Sequence, residues 1–265
     1  MVVQLSVNDT DSVDAVVDTG ATVAILDHRT AAHAGIEKPL GEEMVHIIGL
    51  GGVDAFPLIQ IDRAQLGATE LTAVRAAYNT EFLFPGARNI LPADSLPHRV
   101  LDFDFKRNEL LAYNRRPLRV SDATTSRLDI QTIRKLPFIE VKLNGRRGIA
   151  LIDTGANVSF VNSVFAQTAA RGRDAIQAIE LAGATGNIST IRVLSSRKFT
   201  LGDFKIDHYQ VVVADPEFIR LYGLQDQPVM VLGLDILAHF RLQIDRERNE
   251  VLLSRDISGL RIAPG

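Results

Sequence analysis

The chain has no cysteine. That excludes a disulfide frame, a thiolate nucleophile and a Cys-ligated zinc site, though it does not identify a compartment. No apolar run approaches the ~18 residues that a membrane-spanning helix needs. Basic runs are short and the formal net charge is −3, so a nucleic-acid footprint is not favoured. The six histidines are scattered, H-E-x-x-H is missing, and His28 and His33 stand five apart, off a common helical face. No G-x-S-x-G elbow occurs. "IIGLGGVDAF" begins like a dinucleotide loop, but Asp54 stands where the last glycine belongs. The strand-like "VDAFPLIQI" follows it, where a phosphate site requires a helix N-terminus. No metal and no cofactor is therefore expected.

What remains is an ordinary globular composition, 46% hydrophobic and 23% charged over 265 residues, enough for one large domain or two small ones. The chain is written twice. "VVDTGAT" at 16–22 returns as "LIDTGAN" at 151–157, which puts Asp18 and Asp153 135 residues apart. Around them "VVDTGATVAILD" falls on "LIDTGANVSFVN", and "QLGATEL" falls near "TLGDFKI". "NILPADSLPHRVLDFDFKRNELLAY" falls on "MVLGLDILAHFRLQIDRERNEVLLS", at an offset of 141. The order never changes. The polar, proline-containing stretch 114–127 lies between the copies, which divides the chain into lobes at 1–116 and 131–265 with a linker at 117–130.

Each copy reads mostly as strand. "VVQLSV" and "FIEVKL" lead to turns at "NDTDS" and "NGRRG", and the next strands, "VDAVVD" and "GIALID", end at the repeated motif. Asp27 and Asn162 are natural N-caps for the short helices predicted in "HRTAAHAG" and "SVFAQTAAR". A further short helix, "LDILAHF", precedes a last strand pair, "RLQID" and "EVLLS". Many short strands with little helix predict an all-β fold of barrel-like units. Met44 and Met230 are assigned to the core, and "FKRNELL" and "DRERNEV" to solvated turns.

One Asp-Thr-Gly is a good turn and nothing more. Two copies, each closing an aliphatic strand, put a carboxylate where burial demands a partner or a task. Glycine allows close backbone approach, and threonine can lock one loop to its twin. If the copies pack about a pseudo-two-fold, the two carboxylates meet. One pKa then falls and the other rises, so the pair holds one proton over a broad pH range. Such a pair can take a proton from water and give one to a carbonyl oxygen.

With these motifs the chain resembles the retropepsin-like aspartic proteases, in the bacterial single-chain form with two tandem lobes, over nearly its whole length. The resemblance implies catalytic Asp18 and Asp153, interlocking Thr19 and Thr154, and loop residues Gly20, Ala21, Gly155 and Ala156. It also implies a glycine-tipped flap from each lobe, at Ile48, Gly49, Gly51 and Gly52, and at Gly183, Ala184 and Gly186. The family's apolar-apolar-Gly motif matches "VLGLDIL" at Gly233, whereas the first lobe has Pro92 there. That departure questions the packing behind the first loop. The expected function is aspartic endopeptidase, acting as a monomer on polypeptides with apolar residues flanking the cut. The strand-like start at Val2 fits a removed leader and hence a periplasmic location. The rivals are a non-catalytic peptide-binding module of the same fold and a structural scaffold, neither of which accounts for two retained aspartates.

Overall fold

The computed structural model describes residues 1–37, 43–49, 52–80, 89–121, 123–172, 175–182 and 188–256. The first lobe runs β1 (Val2–Val7), β2 (Val13–Asp18), β3 (Ala24–Asp27), α1 (His28–His33), β4 (Met44–Gly49), β5 (Gly52–Leu66), β6 (Thr69–Asn79), β7 (Asn89–Pro92), β8 (Val100–Asp104) and β9 (Glu109–Tyr113). β10 (Ala123–Asp129) leads into the second lobe. That lobe runs β11 (Gln131–Ile133), β12 (Leu136–Leu143), β13 (Arg146–Ile152), β14 (Phe160–Val161), α2 (Ser163–Ala169), β15 (Ile176–Ala182), β16 (Ile188–Leu201) and β17 (Phe204–Val213). It ends with α3 (Glu217–Leu221), β18 (Val229–Leu232), α4 (Leu234–Leu237), β19 (Arg241–Asp245) and β20 (Glu250–Asp256).

The duplication is visible strand by strand. The first sheet has the order β1-β2-β7-β3-β6-β5-β4, and β1 returns to β5. The second reads β12-β13-β18-β14-β17-β16-β15 in the same places, extended at one edge by β11, and β12 returns to β16. Each sheet therefore curls into a barrel-like unit, and the chain is mostly β as its strand periodicity predicts. Both helices that follow the motifs start at the expected caps. Asp27 accepts from the Arg29 N–H, and Asn162 accepts from the Phe165 N–H. Alternation in β2 turns Ala15 and Val17 fully inward. β13 is apolar in a run, and Ala150, Leu151 and Ile152 are all buried.

The two lobes share a third sheet, ordered β10-β20-β19-β8-β9. β8 of the first lobe pairs antiparallel with β19 of the second. Two aspartates with no exposed surface, Asp102 and Asp245, sit in this shared sheet. Arg241 grips Asp102 with two bonds of 2.7 Å each, and Arg99 grips Asp245 at 3.1 and 2.9 Å. Gln243 and Tyr113 also donate to Asp102. Both pairs cross from one lobe to the other. Arg241→Ala is expected to lower unfolding free energy by about 3 kcal/mol, since it strands a buried charge, whereas adding Asp102→Leu should recover much of that. Urea denaturation of the two variants checks it.

Candidate active site

β2 and β13 run parallel to β7 and β18, with Asp18 opposite Pro92 and Ile152 opposite Leu232. Each strand delivers its motif to the line between the lobes. There the threonines exchange bonds. The Thr19 N–H donates to Thr154 Oγ1 at 3.1 Å, and the Thr154 N–H donates to Thr19 Oγ1 at 3.0 Å. Each hydroxyl then donates across the interface, Thr19 to Ile152 O at 2.7 Å and Thr154 to Val17 O at 2.8 Å. Both threonines are buried.

This lock brings the Asp18 and Asp153 carboxyls together, each against the other lobe's active-site glycine. Asp18 accepts from the Gly20 N–H at 2.7 Å, and Asp153 accepts from the N–H groups of Gly155 and Ala156 at 2.9 Å each. The glycines are required by packing. A Cβ on Gly20 would lie 2.6 Å from Asp153 Cγ, and one on Gly155 would lie 2.3 Å from Asp18 Oδ2. Each lobe's glycine is thus the bed of the other lobe's carboxylate. Desolvation pushes both carboxyls up; the Asp153 carboxyl, which also meets the charge of Asp18, is pushed up to about 8. The pair can therefore hold a single proton across the weakly acidic and neutral range.

Two hairpins stand where flaps are expected, β4–β5 and β15–β16. Ile48 pairs with Val53 and Gly49 with Gly52 near the first tip. Gly51, Gly183, Ala184 and Gly186 lie outside the described residues. α3 of the second lobe packs against β4 and β5, so the first hairpin reaches across to the opposite lobe. Met230 is in the core, but Met44 is 45% exposed. It opens the hairpin strand β4, where only one face can pack.

Sequence reasoning missed a polar latch behind the second motif. Ser159 donates from its N–H and its Oγ to Asp235, Tyr209 donates its phenol to the same carboxylate at 3.2 Å, and the Gly233 N–H donates to Ser159 Oγ at 2.8 Å. A Cβ on Gly233 would lie 2.9 Å from Ala156 O, so the segment is pressed onto the loop. In the first lobe the duplication places Ala24 for Ser159 and Pro92 for Gly233. The hydroxyl and the N–H it would accept are lost together, which leaves neither unsatisfied. Pro92 is buried, keeps its strand register, and accepts from Ser95 Oγ at 2.6 Å. A comparison of offsets 135 and 141 at these positions was the available signal.

Among the described residues, no group of three or more His, Cys, Asp or Glu could hold a metal ion, and no helix is long and apolar enough to cross a membrane. Residues 139–236 match the aspartyl protease family model, and residues 3–91 match that of the gag-polyprotein putative aspartyl protease. The matches fall on different lobes, and each contains one Asp-Thr-Gly-Ala. No curated protein matches the chain. Both models describe proteases, and protease is the class of this chain. One match in each lobe supports the retropepsin-like aspartic protease family for the chain.

The threonine exchange sets a measurable expectation. Thr154→Val leaves the Thr19 N–H without its acceptor and Val17 O without its donor. Stability should fall by about 2–4 kcal/mol, read from urea unfolding, with Thr154→Ser restoring most of it.

Proposed function

We propose that the chain is an aspartic endopeptidase in which Asp18 and Asp153 activate one water between them. The observation that carries this reading is the carboxyl pair itself, crowded together by interlocked loops from two copies of one motif. A structural role for either aspartate alone would not require its twin.

In this reading Asp153 holds the shared proton, because burial and the charge of Asp18 both raise its pKa. Asp18 acts as the base. It takes a proton from the water as oxygen attacks the scissile carbonyl, while Asp153 gives its proton to the carbonyl oxygen. The gem-diol collapses as the C–N bond breaks. The leaving nitrogen takes the proton from Asp18, and a diol hydroxyl returns one to Asp153. Neither a covalent intermediate nor net proton transfer is needed. The substrate lies extended beneath the hairpins, held by main-chain hydrogen bonds in the manner of an added strand. One chain, divided at 1–116, 117–130 and 131–265, supplies both halves of the site and works as a monomer.

Digestion of a mixed peptide library, read by mass spectrometry, tests the proposal. Asp18→Asn and Asp153→Asn should each abolish cleavage while remaining folded; substantial turnover by either variant sinks the dyad. Stability carries a second signature. The folded chain keeps the Asp153 proton up to about pH 8, whereas an unfolded aspartate releases it near pH ~3.9. Between those values the folded state binds more protons, so wild-type stability should fall as pH rises through that window. Asp153→Asn should flatten that slope and melt higher at neutral pH.

Activity should follow the singly protonated pair and form a bell centred in the weakly acidic range. Its alkaline limb should lie towards pH 8, where Asp153 gives up its proton. In pepsin-like relatives a hydroxyl follows the glycine and lowers the pKa, whereas here both positions are alanine, Ala21 and Ala156. Ala21→Thr or Ala156→Thr should move the bell to lower pH. An unmoved bell in both variants, or a wild-type optimum below about pH 3, under the free aspartate value, refutes this account.

A further inference from the structure

Behind the first active-site loop lies a cavity of about 700 Å³. Its wall includes Ala21 and Val23 of the loop that carries Asp18, Met44 at the base of the first hairpin, and Val74, Pro92 and Asp94. The duplication says what this space corresponds to. Ala73 and His208 both have positive φ, 53° and 56°, and both interrupt their strand pairing, without a change of register, at the same place in β6 and β17. That fixes Val74 as the counterpart of Tyr209. The motif offset fixes Ala24 as the counterpart of Ser159, and the offset of the later segment fixes Asp94 as the counterpart of Asp235.

In the second lobe this space is taken up. The Tyr209 ring packs against Phe199, with centroids 5.3 Å apart, and its hydroxyl donates to Asp235 at 3.2 Å. Burial, with the charge of Asp235, pushes the phenol's pKa up, so it stays a donor at any working pH. In the first lobe Phe199 is replaced by Ala64, Tyr209 by Val74 and Ser159 by Ala24. Two of these smaller side chains, Val74 and Ala24, line the cavity together with the retained carboxylate of Asp94. Neither Ala24 nor Val74 has a side-chain donor, so Asp94 lacks both hydroxyls that Asp235 receives. Of the other charges that line the cavity, Arg75 is held by Glu43 and Glu70 lies 3.7 Å from Arg63, while Lys135 of the second lobe lines it beside Asp94.

We propose that this cavity is a specificity pocket for a tyrosine side chain of the substrate, whose ring stands where Tyr209 stands in the other lobe and whose hydroxyl donates to Asp94. It rests on the endopeptidase reading for its substrate, but on the duplication for its shape. The cavity is walled by the Asp18 loop and by the hairpin strand above it, so it flanks the path of an extended chain through the cleft. Since the second lobe's equivalent is filled from within, the preference belongs to a single position on one side of the cut.

The test uses peptides differing at one position, bearing Tyr, Phe or Leu and scanned through the cleft. Two readouts run in parallel: cleavage by the wild-type chain, and fluorescence anisotropy of labelled peptide on the Asp153→Asn chain. At one position Tyr should exceed Phe by about ten-fold, the scale of a hydrogen bond to a charged group. Asp94→Asn should shrink the Tyr-to-Phe ratio. Val74→Tyr, which rebuilds the second lobe's filling, should bring the Tyr-to-Leu ratio towards one. Both are ratios on one protein, so a change in overall activity does not disturb them. Cleavage without a Tyr preference at any position overturns the pocket and leaves the protease. Tyr-selective binding without cleavage keeps the pocket and overturns the protease. Neither cleavage nor selective binding overturns both, and a Tyr preference unmoved by either substitution places it elsewhere.

Discussion

Two threonines hold the molecule's centre. Thr19 and Thr154 each give a hydroxyl to the other lobe's backbone and take an N–H from the other lobe's threonine. The exchange is reciprocal, so neither loop can shift without breaking bonds on both sides. The position of both carboxylates follows from it. Asp18 and Asp153 are adjacent threonine neighbours on strands that end at the axis, and Gly20 and Gly155 remove the side chains that would keep them apart. A buried lock with every donor satisfied is what allows two groups of like charge to sit in contact.

That contact is unfavourable, and the fold offsets it some distance away. The sheet made by β8, β9, β10, β19 and β20 splices the lobes together by backbone pairing. Within it the Arg241–Asp102 and Arg99–Asp245 pairs satisfy two fully buried carboxylates with paired, bidentate bonds. The molecule thus treats its four central aspartates in two ways. Two receive arginine, each from the opposite lobe. Two receive backbone N–H groups and each other, with no arginine bonded to them among the described residues; Asp18 also has the N-terminal ammonium of Met1 nearby, and burial still raises both pKa values.

Much of this was legible because duplication makes a sequence its own control. A single Asp-Thr-Gly is a turn; the same tripeptide behind two aliphatic pairs, with matching caps at Asp27 and Asn162, predicted both strand ends and both helices. The class of fold followed from strand periodicity. Other features leave weaker traces. β10 lies in a stretch whose polar composition reads as linker, and it is a strand because β20 offers it a partner along its full length. Met44 reads as core by residue type, but an exposed hairpin strand has one unpacked face. Arg241 and Asp102 carry no local pattern at all, since their pairing arises only when β8 meets β19.

Fusion into one chain also frees the two halves from identity. A homodimer must place the same residue on both sides of its axis, so any cavity beside one active-site loop is repeated beside the other. Here both lobes keep Asp, Thr and Gly at the axis. Away from the axis the lobes have diverged in a correlated way. Ser159 and Gly233 form a donor–acceptor pair in one lobe, and Ala24 with Pro92 removes both members in the other. Tyr209 packs on Phe199 in the second lobe, whereas Val74 and Ala24 line an open cavity in the first. Substitutions that lose a hydrogen bond's two ends together leave no orphaned group, so each lobe stays internally satisfied while its volume changes. The symmetric part of the molecule fixes the carboxyl pair, and the asymmetric part makes the space beside each motif different in the two lobes.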